Sequence, residues 1–447
     1  GVIVGSACYI GLFYTVFIDA VELWFYFWNP YQTYTQYGCV VSDFLYFSYM
    51  DLDKPEGYSK ETAEAILQRY DYSGEAEAQK DDTPEGAIVP DDILVIMNES
   101  WADLSCAGDF ETNIPYNEFY TSLTENTIKG TACVSIYGGN TPQSEYEFLT
   151  GNTISFLPSG AIAYNLYIKK DTPSLVSQLS EQGYECIAMH PEKATNFNRN
   201  QVYPRLGFSQ FLTEDDFTDI VKIRELCSDQ SVYDKMIDLY ENKQEGQKLF
   251  LYGVTMQNHG GYTYEGEDFT PLVQTVGLNK TYDKVNQYLT CMRYTDEVLE
   301  NLIGYFSDVD EHVMIVMFGD HHGDVGSDFY EELYGKKLID VEGEQYETRY
   351  ETPFFIWTNY EIGEKADEKI NLNYLSTLAM QTANIPLTEY QSFLAELQSH
   401  YPVISAAGIY DAEGNFYTWN NVEESADYSY MKEYQILEYY MLENYKK

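Results

Sequence analysis

Glu99, Asp320 and His321 offer two hard carboxylates and one imidazole, and Thr141 adds a hydroxyl. Together they form a three-oxygen, one-nitrogen donor set suited to Mn²⁺, Mg²⁺ or Zn²⁺. A metal beside Thr141 lowers the pKa of its hydroxyl and polarises a phosphoryl oxygen. Each residue also has a plainer reading: Glu99 as a solvated carboxylate after a strand, Asp320 as a loop cap, His321 as a turn histidine. The adjacent Asp-His at the end of a buried strand is the more specific part of the pattern.

Thr141 lies in Gly138-Gly139-Asn140-Thr141-Pro142-Gln143-Ser144-Glu145, a glycine-rich turn running into a helix. Thr141 is a good N-cap, Pro142 suits the first helical position, and Gly151 closes the helix as a C′ glycine. Glu145 falls in the first turn, where the helix dipole favours an acid. A hydroxyl at a helix N-terminus faces free N–H groups, which bind phosphate and ease alkoxide formation. Thr141 therefore reads as a cap or as a nucleophile. Among the six histidines, His190 can donate to a phosphate, and His259, in Gln257-Asn258-His259-Gly260-Gly261, can act as a general acid. Arg199 can fork onto a phosphate or form a surface ion pair. His322 reads as a supporting or exposed residue.

The elements that must hold these residues are short apolar runs. Ile93–Met97, Cys186–Met189, Leu249–Val254, Val313–Phe318 and Pro353–Trp357 read as buried strands. Helical segments at 172–182, 229–242 and 281–306 alternate with them. This alternation predicts an α/β fold, a mostly parallel sheet with helices on both faces. Ligands in such sheets bind at the strand carboxyl ends, where Glu99, His190, His259, Asp320 and His321 all fall. Residues 372–396 read as helical, Pro402 to Trp419 as short strands, and Tyr428 to Tyr445 as a helix. The expected organisation is a transmembrane helix over 1–28, a connector and linker over 29–90, a catalytic domain over 91–369 and a C-terminal subdomain over 370–447.

Gly1–Ile18 carries no charge, and the aromatic Trp24–Trp28 follows, which is the pattern of a membrane span with an interfacial belt. No Lys or Arg precedes Lys54, so the downstream side is expected outside the cell. The net charge is −46, which excludes nucleic acid as a partner, because phosphate neutralisation needs a basic face. Seven scattered cysteines without a CxxC pair argue against a zinc knuckle or a disulfide scaffold.

Several motifs, in order, resemble the lipoteichoic acid synthase family, membrane-anchored phosphoglycerol transferases of the alkaline phosphatase/sulfatase superfamily. They are Met97-Asn98-Glu99-Ser100-Trp101, Asn140-Thr141 with Ser144–Phe148, His190 to Arg199, Gln257–Tyr262, Tyr294–Glu297 and Gly319-Asp320-His321, after a Lys54–Ser59 entry. The resemblance runs from about residue 35 to the end. It implies the superfamily's sandwich fold, with Thr141 as nucleophile and Glu99, Thr141, Asp320 and His321 holding one metal, usually Mn²⁺. It implies a phosphoglycerol pocket lined by His190, Phe197, Arg199 and His259. The implied reaction moves glycerol phosphate from phosphatidylglycerol to a glycolipid or polyglycerol-phosphate acceptor, outside the cell membrane of a Gram-positive-type bacterium. Phe197 departs from the Trp that relatives often carry, and the His322-Gly323-Asp324 continuation is only loosely similar. Thr141-Pro142-Gln143 lacks the Cys/Ser-x-Pro-x-Arg setting of sulfatases, which disfavours sulfate-ester hydrolysis. Other readings on the same fold are a phosphoethanolamine transferase, a phosphodiesterase, or a non-catalytic module that binds phosphoglycerol polymer. Lipid A phosphoethanolamine transferases usually have a disulfide-rich soluble domain, which these cysteines do not match.

Overall fold

A computed structural model describes residues 23–27, 29–50, 52–71 and 87–443. The Gly1–Ile18 run lies outside the described residues. Among those described, no helix is long and apolar enough to cross a membrane. The aromatic residues after that run are divided. Trp24 is 47% exposed, whereas Phe25 and Phe27 are 6% and 7% exposed and turn inward. They pack against Tyr34 and Tyr46 of helix α1 (Pro30–Ser48) and against Tyr49 at its end. Helix α2 (Lys60–Gln68) starts at Ser59, whose side chain accepts from the Thr62 N–H.

Eight strands form the central sheet: β1 (Asp92–Asn98), β2 (Thr127–Cys133), β3 (Tyr184–Met189), β4 (Gln210–Leu212), β5 (Lys248–Val254), β6 (Val313–Gly319), β7 (Glu351–Thr358) and β8 (Lys365–Asn371). Their spatial order is β8-β2-β7-β6-β1-β5-β3-β4. Only β7 runs against the rest: it pairs antiparallel with β6 and β2, and the other neighbours are parallel. The expected mostly parallel sheet is present, and all five apolar runs are strands of it. Three further strands, β2, β4 and β8, lie outside those runs, and β4 is only three residues long. Lys129 and Gly130 interrupt the apolar pattern of β2, and β8 is a mostly exposed edge strand of charged residues, as edges commonly are.

Successive side chains of a strand point to opposite faces, so a strand that is apolar throughout must be covered twice. Ile93, Val95 and Met97 of β1 join one core with helices α3 (Pro142–Thr150) and α4 (Leu175–Glu181). Leu94 and Ile96 join the opposite core with α6 (Asp229–Glu241) and α7 (Asp283–Ser307). Helix α5 (Arg199–Leu206) completes the first face.

The 372–396 stretch is helical as expected, and it is divided into two helices. Helices α8 (Leu372–Thr382) and α9 (Glu389–His400) are separated at Asn384, which adopts φ 54°, and at Pro386, which cannot continue a helix. Short strands at Val403–Ile404, Ile409–Tyr410 and Phe416–Tyr417 follow, then α10 (Tyr428–Glu443).

Helix α10 is fastened to the Thr141 helix by a buried carboxyl. Glu438 accepts from Tyr146 Oη at 2.9 Å and from the Thr153 N–H at 2.9 Å. Burial pushes Glu438 up to about 8 and its neighbour Glu147 up to about 7. A carboxyl raised above its unfolded value stabilises the fold fully below that value, and the contribution is lost as pH rises through the folded pKa. Urea unfolding of the wild type is therefore expected to show a stability loss between about pH 5 and 8 that Glu438→Gln makes shallower. Equal slopes in the two proteins contradict this assignment.

Candidate active site

The register of β1 on β6 pairs Asn98 with Gly319, so the next residues, Glu99 and Asp320, emerge side by side at the strand ends. Gly319 is required there, since a Cβ at this position sits 1.8 Å from the Trp101 carbonyl oxygen. Ser100, at φ 53°, turns back over the pair. Its N–H donates to Asp320 Oδ1 at 2.7 Å and its hydroxyl to Glu99 Oε1 at 2.8 Å. The Glu99 N–H donates to Thr255 Oγ1 at 3.1 Å, which fixes the carboxylate from the β5 side. Beneath it, Asn98 donates to Asp229 Oδ2, which also accepts from Thr295.

Ligand atoms of Glu99, Asp320 and His321 lie within 4.8 Å of one another, all buried. His321 Nδ1–H donates to the His322 carbonyl at 2.9 Å, leaving the Nε2 lone pair facing Asp320 Oδ2 at 3.2 Å and Glu99 Oε1 at 3.6 Å. Asp320 Oδ2 and His321 Nε2 are buried without a hydrogen-bond partner. Burial, with the Glu99 charge beside it, raises the Asp320 carboxyl. Burial opposes charge on His321, but Asp320 and Glu99 outweigh it and raise that group as well. Orphaned acceptors converging on one point with excess negative charge fit a divalent cation.

Thr141 is at the N-cap position of α3, but its side chain makes no cap. Its hydroxyl instead donates to Glu99 Oε2 at 3.2 Å. Positive φ values at Gly138, Gly139 and Asn140 shape the turn that delivers it. Two bonds lock the turn to the Asp-His loop: Gly138 N–H to the His322 carbonyl, and Ser144 Oγ to the Asp320 carbonyl at 2.7 Å.

His190 follows β3 and is buried. Its Nδ1–H donates to the Val254 carbonyl at 3.0 Å. Burial, with Arg199 beside it, lowers its pKa to about 3. The ring is therefore neutral and its Nε2 is an acceptor. With Nδ1 engaged, only Nε2 is left to meet a ligand. Arg199 is not on the surface. Its Nε and Nη2 both bind Glu145 Oε1, and Tyr203 donates to Glu145 Oε2. Burial works against the guanidinium charge, and Glu145 more than restores it. Two of its donors are thus taken, which leaves less of the fork for a phosphate. Glu145 was read only as a dipole-favoured acid; its partner lies 54 residues away, beyond any local signal.

Phe197 adopts φ 53°, a strained conformation for a bulky side chain, with its ring 5.5 Å from the Arg199 guanidinium. His259 is exposed, on a loop after β5, and Arg224 Nη2 holds its carbonyl at 3.0 Å and that of Gln257 at 2.8 Å. His322 is buried between Tyr330 Oη and the Glu351 carbonyl, so the exposed alternative does not hold. The described cysteines are all free.

Residues 91–385 match the sulfatase family. A Rhizobium meliloti protein named for cyclic beta-1,2-glucan modification is 26% identical over 387 residues, covering 84% of this chain and 57% of its own length. Lipoteichoic acid synthase 1 of Bacillus subtilis is 25% identical over 220 residues, 46% of this chain and 32% of its own. The chain thus spans about half or less of the length of these curated relatives. The fold is shared with the Streptococcus pyogenes phosphoglycerol transferase GacH, solved with sn-glycerol-1-phosphate. That match has a TM-score of 0.68 and 23% identity over 87% of this chain and 94% of the other. The Listeria monocytogenes lipoteichoic acid synthase LtaP matches with a TM-score of 0.57 and 18% identity over 78% of this chain and 90% of its own.

Two outcomes check the geometry. Glu145→Gln leaves the buried Arg199 charge unpaired and is expected to cost about 3–5 kcal/mol in urea unfolding. Metal analysis after dialysis against Mn²⁺ is expected to find one ion per wild-type chain and loss of that ion in Asp320→Asn.

Proposed function

The chain belongs to the sulfatase family of the alkaline phosphatase superfamily, and from that premise we propose that it is a phosphoglycerol transferase. In this reading it takes glycerol phosphate from phosphatidylglycerol and passes it to an acceptor hydroxyl on a glycolipid or polyglycerol-phosphate chain. The observation that carries the reading is the pair of orphaned buried atoms, Asp320 Oδ2 and His321 Nε2, facing Glu99 with the Thr141 hydroxyl on the same carboxylate. The names of the relatives, two lipoteichoic acid synthases, a phosphoglycerol transferase and a glucan-modifying protein, support the transferred group and a carbohydrate-bearing acceptor.

Glu99, Asp320, His321 and Thr141 would hold the metal, Mn²⁺ by preference, which supplies charge neutralisation at the phosphoryl oxygen and a more acidic threonine hydroxyl. Thr141 Oγ1 attacks phosphorus, and its proton has Glu99 Oε2 as the nearest acceptor. The bond from phosphorus to the diacylglycerol oxygen breaks, and His259 gives that oxygen a proton. The acceptor hydroxyl then attacks the glycerophospho-threonine and returns a proton to His259, and Thr141 Oγ1 leaves and takes back its proton from Glu99 Oε2. Arg199 lies beside the phosphoryl group, and Phe197 walls the glycerol. His190 Nε2 accepts from a glycerol hydroxyl. The N-terminal uncharged run would hold the domain at the outer face of the cell membrane.

The test follows diacylglycerol release from fluorescent phosphatidylglycerol by the full chain with Mn²⁺. Release is expected to require the metal and to fall about a thousandfold or more in Thr141→Ala. Retained release in that variant would sink the covalent mechanism. Release from phosphatidylethanolamine alone moves the donor to the other headgroup.

A further inference from the structure

A groove of about 540 Å³ opens between the N-terminal segment and the loop that carries Phe197. From the N-terminal segment the lining is aromatic, with Phe27, Tyr34 and Tyr46; from the rest of the chain it offers the amides of Asn165 and Asn198 beside Phe197. None of the described residues that line it is charged, in a chain where 22% of residues are. An anionic ligand finds no cation here. An acyl chain would bury the amides without partners, at a cost in free energy. A neutral polyol with one apolar face fits both kinds of lining: the face lies on the rings and the hydroxyls meet the amides. Asn198 Nδ2 donates to Asn165 Oδ1 at 3.3 Å, which leaves Asn165 Nδ2 as a donor and Asn198 Oδ1 as an acceptor.

Phe197 connects the groove to the candidate site. Its ring faces the Arg199 guanidinium, and Arg199 is bound to Glu145 in the first turn of the Thr141 helix. Phe197 at φ 53° and Asn198 at φ 60° are consecutive left-handed residues, and both line the groove. Such strain persists only where the surroundings hold it and is a mark of ligand-binding segments. We infer that this groove is a saccharide subsite that seats a neutral sugar of the acceptor beside the transfer site. The inference rests on the phosphoglycerol-transfer reading and assigns its acceptor side.

The test is saturation-transfer NMR and calorimetric titration of the full chain with a neutral β-linked gluco-oligosaccharide. Saturation is expected to pass from aromatic protons to the sugar, and Tyr34→Ala and Asn165→Ala are each expected to weaken binding about tenfold. Both variants are expected to keep the wild-type rate of diacylglycerol release, and Thr141→Ala to keep wild-type sugar binding. No saturation transfer in the wild type overturns the inference, as does unchanged affinity in both folded variants. Variants that raise KM for phosphatidylglycerol while sugar binding stays intact overturn it in favour of a lipid. Sugar binding without diacylglycerol release leaves the saccharide groove standing and removes the transfer reading instead.

Discussion

Two carboxylates are forced together at the ends of neighbouring parallel strands, and much of this structure exists to hold them there. The pairing of Asn98 with Gly319 sets the spacing, because adjacent strands are only about 4.8 Å apart. Two buried acids at that distance repel, so every surrounding group is arranged to keep them: the Ser100 N–H and hydroxyl, the Thr255 hydroxyl, and His321 in the tautomer that presents Nε2. Even the glycine at the strand end is dictated by it, since Ser100 and Trp101 must fold back over the β6 terminus. The same strand ends receive the Thr141 turn through Gly138 and Ser144, so the position of Thr141 follows from the position of the acids.

A second constraint runs from that turn into the pocket. Glu145 is one helical turn past Thr141 and engages Arg199 and Tyr203, both on α5. The helix that carries the hydroxyl and the helix that begins beside Phe197 are therefore one mechanical unit. A buried pair of this kind adds little net stability, because desolvation offsets the attraction. Its value is orientation: it fixes the first turn of one helix against the first turn of another. Behind the unit, Glu438 of the C-terminal helix ties Tyr146 and Thr153, so the last helix of the chain braces the one that carries Thr141.

The parts of this arrangement that were legible in the sequence are those with a local signal. Buried parallel strands are continuous apolar runs, and the residues after them gather at one edge of a sheet, so Glu99, Asp320 and His321 could be grouped without coordinates. Strand β2 was not legible because Lys129 and Gly130 break its run, and the reversed direction of β7 leaves no trace in its composition. The tautomer of His190 depends on the Val254 carbonyl, and the engagement of Arg199 depends on Glu145; both are tertiary facts. Thr141 shows the limit clearly. Its position at a helix start was readable, but whether its hydroxyl caps the helix or turns to Glu99 depends on a strand 42 residues earlier.

Charge explains why a cation belongs to this site for reasons beyond catalysis. Glu99, Asp320 and Glu145 bring three carboxylates against the one fixed positive charge of Arg199 and the proton that the acids favour on His321, which leaves negative charge in excess in a buried region of a chain at −46. A phosphodiester adds another. Like charges at these distances in a poorly solvated site repel by several kcal/mol, far more than a phosphate gains from one partly engaged guanidinium. Protonating Asp320 relieves part of this in the cation-free protein, which is the direction in which its carboxyl is shifted. A divalent ion would remove the excess outright and let the acids stay ionised. The described residues that line the groove beside Phe197 carry no charge and stand outside this balance.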